Sequence, residues 1–232
     1  MLTYRRTLAA SALAAATLVT TACSTGADVP GSGAGAGSGT GGKPAAHGTA
    51  LAAVDTLTVK GRSPKTGYER EKFGRAWVDV DGNGCGTRDD ILKRDLDRVR
   101  FSDGHCKVAS GTLADDPYTG TSVTFVRGRS KVDIDHVVAL SDAWQKGAQK
   151  WDPGTRRRFA NDPLNLLAVD SATNRRKSDG DAATWLPPNK AYRCPYVARQ
   201  IAVKQKYGVW VTRAERDAMK RVLDGCPQQR LP

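Results

Sequence analysis

The chain has 232 residues, of which 26% are charged and 39% hydrophobic, and its formal net charge is +12. Such an excess of lysine and arginine favours a polyanionic partner, either nucleic acid or an anionic cell-surface polymer, and charge alone does not separate these two classes. The five cysteines form no CxxC pair and no Cys/His pattern of the kind that binds zinc, which argues against a zinc protein.

The N-terminus has the organisation of a secretory signal. Arg5 and Arg6 precede an uncharged apolar stretch over residues 8–19, and an alanine stands directly before Cys23. This pattern predicts a signal peptide at 1–22, because the apolar stretch falls short of the roughly 20 residues of a spanning helix. The Ala-Cys pair predicts lipidation of Cys23 and export to the outer face of the cell membrane, with simple secretion as the alternative. Without residues 1–22 the net charge is +12 − 2 = +10.

The composition divides the remaining chain into two parts. Residues 23–50 are rich in glycine, serine and alanine, which predicts a disordered tether. Residues 51–232 have the length of one globular domain. Contact with a membrane is therefore expected only through the N-terminal lipid.

Hydrophobic periodicity within the domain predicts an α+β fold. Its N-terminal region carries a short strand and a helix, and its C-terminal region is helical, with Thr212 and Glu215 in a capping-box pattern. The predicted strands are 75–80, 121–126, 131–138 and 164–169, the second and third forming a hairpin; the predicted helices are 89–99, 139–150, 153–160, 171–177 (capped by Ser171), 192–207 and 212–223.

Four cysteines remain in the domain once Cys23 is set aside: Cys85, Cys106, Cys194 and Cys226. An exported chain meets an oxidising environment, and four cysteines allow three pairings. Pairing of neighbours, Cys85 with Cys106 and Cys194 with Cys226, is preferred because each bond closes a local loop around a predicted helix.

A segment near Cys85 has the spacing of a calcium-binding loop. Asp79, Asp81 and Asn83 alternate before Gly84, and Asp90 stands at the twelfth position. The twelfth ligand of such loops is normally a bidentate Glu, and Asp-Gly-Asn-Gly also forms turns without an ion. The segment therefore has two interpretations: a structural Ca²⁺ site formed by Asp79, Asp81, Asn83 and Asp90, or a turn without an ion.

Among the three histidines, His136 is the candidate for chemistry. His47 lies in the tether and His105 in a predicted loop, whereas His136 ends an apolar strand that also carries Asp133 and Asp135. Strand alternation places His136 on the face opposite the two carboxylates, but a strand end lets Asp135 and His136 converge on one site. The alternative is a capped strand with a solvated acidic face.

A second segment favours the chemical interpretation. Asn165 precedes a short apolar strand, and Asn174 follows nine residues later at the start of a helix. With Asp135 and His136, this pattern resembles the HNH, or ββα-metal, endonucleases, in particular the GmrSD-like C-terminal domain in its secreted actinobacterial lipoprotein form. The resemblance implies a ββα-metal core with flanking helices. The sequence departs from the usual pattern by having Asn rather than His at position 174.

The resemblance gives each of these residues a role. His136 is the general base that activates water, and Asn165 holds the loop that carries it. Asp135 and Asn174 are oxygen ligands for one Mg²⁺ or Mn²⁺. The implied function is hydrolysis of phosphodiester bonds with low sequence specificity, and DNA is favoured over RNA.

Substrate contacts are predicted from the positive charge near these residues. Asn174 is followed by three basic residues that can bind phosphate: Arg175, Arg176 and Lys177. Arg88 can also point toward the cleft of the proposed nuclease site. The protein is expected to act as a monomer on nucleic acid. The alternative is a non-catalytic cell-envelope lipoprotein, with or without calcium, that binds an anionic polymer.

Overall fold

The computed structural model describes residues 48–232. The predicted signal peptide, Cys23 and nearly all of the predicted tether lie outside this range. Within it, no helix combines the length and the apolar character needed to cross a membrane. The described part mixes helices with two small antiparallel sheets, which confirms the α+β class.

The elements of the described part are as follows. The helices are α1 Ala50–Val54, α2 Thr87–Asp95, α3 Leu140–Gln145, α4 Pro153–Ala160, α5 Ser171–Lys177, α6 Arg193–Tyr207 and α7 Arg213–Asp224, with short 3₁₀ turns at Arg70–Phe73, Ala148–Lys150 and Lys190–Tyr192. The strands are β1 Asp97–Phe101, β2 Val108–Leu113, β3 Val123–Val126, β4 Val132–His136 and β5 Leu166–Asp170.

Local capping signals set several helix ends. Thr212 caps α7 and forms a complete capping box with Glu215, which confirms the prediction. The cap of α5 is Asp170 rather than the predicted Ser171, because the Asp170 carboxylate accepts the backbone N–H of Thr173 at 2.7 Å. A carboxylate at this end also interacts favourably with the helix dipole.

The predicted hairpin between residues 121–126 and 131–138 is wrong. Strand β3 pairs with β2 in a sheet of order β1-β2-β3, whereas β4 pairs with β5 in a separate sheet. The turn after β3 redirects the chain, since the Ser130 hydroxyl accepts the N–H of Val132 and donates to its carbonyl. The register of the second sheet opposes His136 to Leu166 and Val132 to Asp170.

The predicted strand at 75–80 is also wrong. Trp77 adopts a positive φ of 60°, and the Asp79 carboxylate accepts the N–H groups of Gly82 and Gly84, so the segment turns back on itself. The helix predicted at 89–99 stops at Asp95, where the backbone becomes extended and leads into β1. Strands β1 and β2 were not predicted.

Three apolar clusters fill the described interior. One lies among α1, α6 and α7 and includes Ile201 and Met219. A second lies between α2 and the two sheets, around Ile91, and a third packs α3 and α4 around Phe159. Alternate residues of β5 face the first and second clusters, so this strand is buried on both sides.

Both preferred disulfides are present. Cys85 is bonded to Cys106, which joins the segment before α2 to the β1–β2 turn. Cys194 is bonded to Cys226, which joins the start of α6 to the end of α7. Each bond restrains the unfolded chain around the helices it links.

A buried ionic cluster connects α3, α6 and α7. The Lys146 ammonium lies 2.7 Å from Asp142 and Asp181 and 2.6 Å from Glu215, and Lys204 lies 2.9 Å from Glu215. None of these five side chains is more than 3% exposed. Burial lowers the pKa of Lys204, but the nearby carboxylates outweigh it and the net shift is upward. Arg62 also pairs with Asp142 and Asp181, so the cluster contains three cations and three carboxylates.

Removing one member of this cluster is expected to destabilise the domain strongly. Lys146→Met leaves buried carboxylates without their central cation, and the free energy of unfolding should fall by about 3–5 kcal/mol. Lys220→Met removes a half-exposed ion pair to Asp55 and should lower the free energy of unfolding by less than about 1 kcal/mol. Urea unfolding of both variants measures the difference, and equal losses would contradict this account of the cluster.

Candidate active site

The candidate site lies where β4 ends beside α5. The alternation of β4 directs Asp133 and Asp135 to the face covered by α5, and His136 to the opposite face, as predicted. Because β5 runs directly into α5, the helix is positioned over the carboxylate face. The amide nitrogen of Asn174 lies 3.4 Å from Asp133.

The hydrogen bond of His136 defines its tautomer. Its Nε2 lies 2.8 Å from the carbonyl oxygen of Ala160. A carbonyl only accepts, so Nε2 carries the proton and Nδ1 carries the free lone pair. The ring of Trp77 lies nearly parallel to the imidazole, with centroids 6.4 Å apart and an interplanar angle of 18°.

The surroundings of His136 keep its imidazole neutral. The side chain is only 7% exposed, and burial is the main cause that lowers its pKa from 6.5 to about 3. The hydrogen bond to Ala160 opposes this shift, whereas the positive charges of Arg70 and Lys177 add to it. The Nδ1 lone pair is therefore available for a proton at neutral pH.

Asp135 is buried and bonded to two neighbours. Its Oδ2 accepts the hydroxyl of Tyr118 at 2.5 Å, and its two oxygens lie 3.0 and 2.9 Å from the Lys177 ammonium. The same ammonium donates to the backbone oxygen of His136 at 2.8 Å. Burial raises the pKa of Asp135, and the bonds from Lys177 and Tyr118 limit that rise.

Asn165 fixes the loop that follows β4. Its Oδ1 accepts the N–H of Val138 at 2.8 Å, and its Nδ2 donates to the carbonyl of Val138 at 3.2 Å. The side chain is fully buried. These contacts hold the backbone two residues beyond His136, so Asn165 has no path to substrate.

A surface cavity of 340 Å³ brings three of the predicted residues together: Asp135, His136 and Asn174. Arg70 and Asp179 also line it. A second cavity of 360 Å³ touches His136 from the other side and is also lined by Arg70. His136 is thus reached from two connected depressions.

The predicted phosphate-binding residues lie in different places. Arg175 and Arg176 are exposed on α5, and Arg176 donates to the Thr173 hydroxyl. Lys177 is buried against Asp135 rather than turned to solvent. Arg88 lies in a neighbouring cleft, with its guanidinium 5.7 Å from the centre of the Trp77 ring.

The calcium-like loop is closed by its own hydrogen bonds. The Asn83 amide donates to Asp81 and to Asp90, each at 3.1 Å, and Asp79 accepts two backbone N–H groups. Over residues 48–232, no three Asp, Glu, His or Cys side chains are grouped as metal ligands. The calcium site stays a prediction.

Several residues of the site had not been predicted. Tyr118 and Trp77 come from irregular segments, where neither periodicity nor spacing identifies a contact. Arg70 belongs to a short 3₁₀ turn. A signal did exist for the partnership of Lys177 with Asp135, because Lys177 stands three residues after Asn174 and therefore on the same helix face.

Comparison with known proteins identifies the family. Residues 86–222 match the family described as the GmrSD restriction endonucleases, C-terminal domain. The chain belongs to this family. It is also 41% identical over 180 residues to an uncharacterized secreted protein of Arthroderma benhamiae, covering 77% of this chain and 85% of that protein. Membership in the GmrSD C-terminal family indicates a nuclease-type hydrolase.

The burial of His136 predicts a pH effect on stability. The unfolded chain takes up a proton near pH 6.5 that the folded protein does not, so stability is complete above this pH and falls as the pH drops toward 3. Between pH 7 and pH 5 the loss should be about 2 kcal/mol.

Urea unfolding in EDTA at both pH values measures this loss. In His136→Gln the side chain at position 136 takes up no proton on unfolding. Its free energy of unfolding should therefore fall by about 2 kcal/mol less than that of the parent between pH 7 and pH 5. The imidazole Cε1–H resonance of the parent should also show no titration between pH 7 and 5. A midpoint near 6.5 for this resonance would contradict the assignment.

Proposed function

We propose that the protein is a metal-dependent endonuclease of the HNH type that hydrolyses phosphodiester bonds with low sequence specificity. The observation that carries the proposal is the convergence of Asp135, His136 and Asn174 on one cavity, with the Nδ1 lone pair of a neutral His136. Membership in the GmrSD C-terminal family supports the same chemistry. The succession of β4, β5 and α5 is compatible with a ββα arrangement.

The residues at this cavity suit one hard divalent cation. Mg²⁺ and Mn²⁺ prefer oxygen ligands, and Mg²⁺ keeps several waters and uses one or two protein groups. Asp135 offers a carboxylate, and the side-chain Oδ1 of Asn174 accepts no hydrogen bond from the described residues, whereas its Nδ2 donates to Asp133. Such an ion would neutralise charge that develops on the phosphate and assist departure of the 3′ oxygen. Lys177 already neutralises part of the charge on Asp135.

The residues of the chain supply the remaining chemistry. A water at Nδ1 of His136 can transfer a proton to the ring while Ala160 keeps Nε2 protonated and the imidazole oriented. Asn165 holds the following loop, so it acts as a positioning residue. Arg70 lines both cavities at His136 and is placed to bind a phosphate oxygen.

The substrate class follows from charge and family. The net charge of +12 favours a polyanion and the family favours nucleic acid, and we propose DNA in preference to RNA, bound by a monomer. Arg175 and Arg176 are exposed on the α5 surface, where they can contact a more distant phosphate.

The proposed place of action is outside the cell. The two disulfides and the relative described as secreted support export. Lipidation of Cys23 would hold the enzyme at the membrane surface through its N-terminus. Radiolabelled palmitate incorporation that is lost in Cys23→Ala tests the anchor separately from activity.

His136→Ala should lower the rate of plasmid cutting in Mg²⁺ by about 10²–10⁴-fold, because the general base is removed. His105→Ala is the matched control, since His105 is exposed in a loop away from both cavities, and it should cut at the parental rate. Gel electrophoresis of supercoiled plasmid measures both. Parental cutting by His136→Ala would overturn the proposal.

Asn174→Ala should raise the Mg²⁺ concentration needed for half-maximal cutting by about tenfold, since a ligand oxygen is lost. EDTA should abolish cutting by the parent. Asn174→Asp restores an oxygen ligand and should recover most of the affinity. Calorimetric titration of Mg²⁺ into the three proteins measures affinity independently of activity, and identical affinities would exclude Asn174 as a ligand.

A further inference from the structure

A larger cleft adjoins the cavity of His136. Its volume is 1180 Å³, and it shares Gly74, Arg75 and Trp77 with the 360 Å³ cavity that His136 lines. The 360 Å³ cavity in turn shares Arg70, His136 and Leu140 with the 340 Å³ cavity, so the three depressions adjoin one another, and we call them together the path. The candidate base lies along this path and not at its end.

The walls of the larger cleft are strongly basic. Three acidic residues, Glu71, Asp79 and Asp89, line it together with twice as many basic residues. The basic residues are Lys72, Arg75, Arg88, Arg127, Arg156 and Arg157. The cleft therefore attracts anions.

Half of these cations are already engaged. Arg127 donates to Asp89, and Arg156 donates to the backbone of Lys72 and Trp151. The Lys72 ammonium donates to a backbone carbonyl. These side chains build the walls of the cleft and have little capacity left for a ligand.

The other three cations are uncommitted. Within residues 48–232, the guanidinium groups of Arg75, Arg88 and Arg157 make no hydrogen bond or ion pair, although Arg88 lies over the Trp77 ring. Arg75 and Arg157 are exposed. Burial lowers the pKa of Arg88 and the positive charge of Arg127 adds to this effect, whereas the carboxylates of Asp133 and Asp89 oppose it.

We propose that Arg75, Arg88 and Arg157 bind backbone phosphates of a nucleic-acid strand that extends from His136 into the larger cleft. The proposal rests on the proposed function, because it treats His136 as the point of cleavage. It makes the substrate a polymer that continues for several nucleotides beyond the scissile bond. Guanidinium groups suit phosphate because their N–H donors match its oxygens.

The test compares a long substrate with a small one. Arg75→Gln/Arg157→Gln removes two charges but keeps the Cβ and Cγ methylenes, which in Arg157 lie against Gly74. The matched control is Arg158→Gln/Arg213→Gln, since both arginines are exposed and neither lines the path. Each protein is assayed on a fluorescent 20-nucleotide DNA and on bis(p-nitrophenyl) phosphate.

The cleft variant should lose about 10–100-fold in kcat/KM on the DNA at low salt, a loss at least tenfold larger than its loss on the small phosphodiester. The slope of log K for DNA against log salt should fall by about 1.4 for a single strand, because each phosphate contact contributes about 0.7. The control variant should keep the parental slope. Equal losses on both substrates, or an unchanged slope, would overturn the proposal.

Failure of the proposed function is distinguishable from failure of this inference. If the parent hydrolyses neither substrate but binds DNA with an affinity that the cleft variant loses, the cleft stands and the catalytic assignment falls. Competition for DNA binding by poly-glutamate, at equal concentration of charge, tests whether the cleft distinguishes nucleic acid from other polyanions. Competition as strong as that of unlabelled DNA would show a general polyanion surface and reject the nucleic-acid assignment.

Discussion

The buried ammonium of Lys177 is the interaction on which the candidate site depends. It joins α5 to the end of β4 by bonding to both oxygens of Asp135 and to the backbone oxygen of His136. A buried carboxylate without a partner is costly, and the charge of Lys177 opposes the rise that burial causes in the pKa of Asp135. Because Asn174 stands one helical turn before Lys177, the same contact sets the distance of Asn174 from β4. Tyr118 supplies the remaining bond to Asp135.

The electrostatic state of His136 follows from this arrangement. Burial and the charges of Lys177 and Arg70 disfavour the imidazolium, and a pKa of about 3 makes the ring a weak base in the free protein. An anionic phosphate beside the ring acts in the opposite sense, because it stabilises the positive charge that the ring gains with a proton. The positive surroundings that depress the pKa also attract that phosphate. The basicity of His136 is thus coupled to occupation of the cavity.

Sequence patterns were sufficient where the structure is local. The helices α4 and α5 and the capping box of α7 follow from residues a few positions apart, and Asn165 and Asn174 lie near β4 because β5 and α5 are consecutive. The partner of β3 could not be predicted, because it depends on β2, a strand whose glycine and serine hide its periodicity. Tyr118 reaches Asp135 from an irregular segment 17 residues away. Such contacts are fixed by tertiary packing and leave no spacing in the sequence.

The segment around Trp77 shows how the cleft and the redox state of the chain are connected. A positive φ of 60° is unfavourable for a tryptophan, so the surroundings must hold it. On one side, Asn161 accepts the N–H of Val78, and on the other Thr87 in the first turn of α2 donates to the Val78 carbonyl. Helix α2 is preceded by Gly86 and then by Cys85, which is bonded to Cys106. The disulfide therefore restrains the segment that continues into this wall of the cleft, and an oxidising compartment preserves that bond.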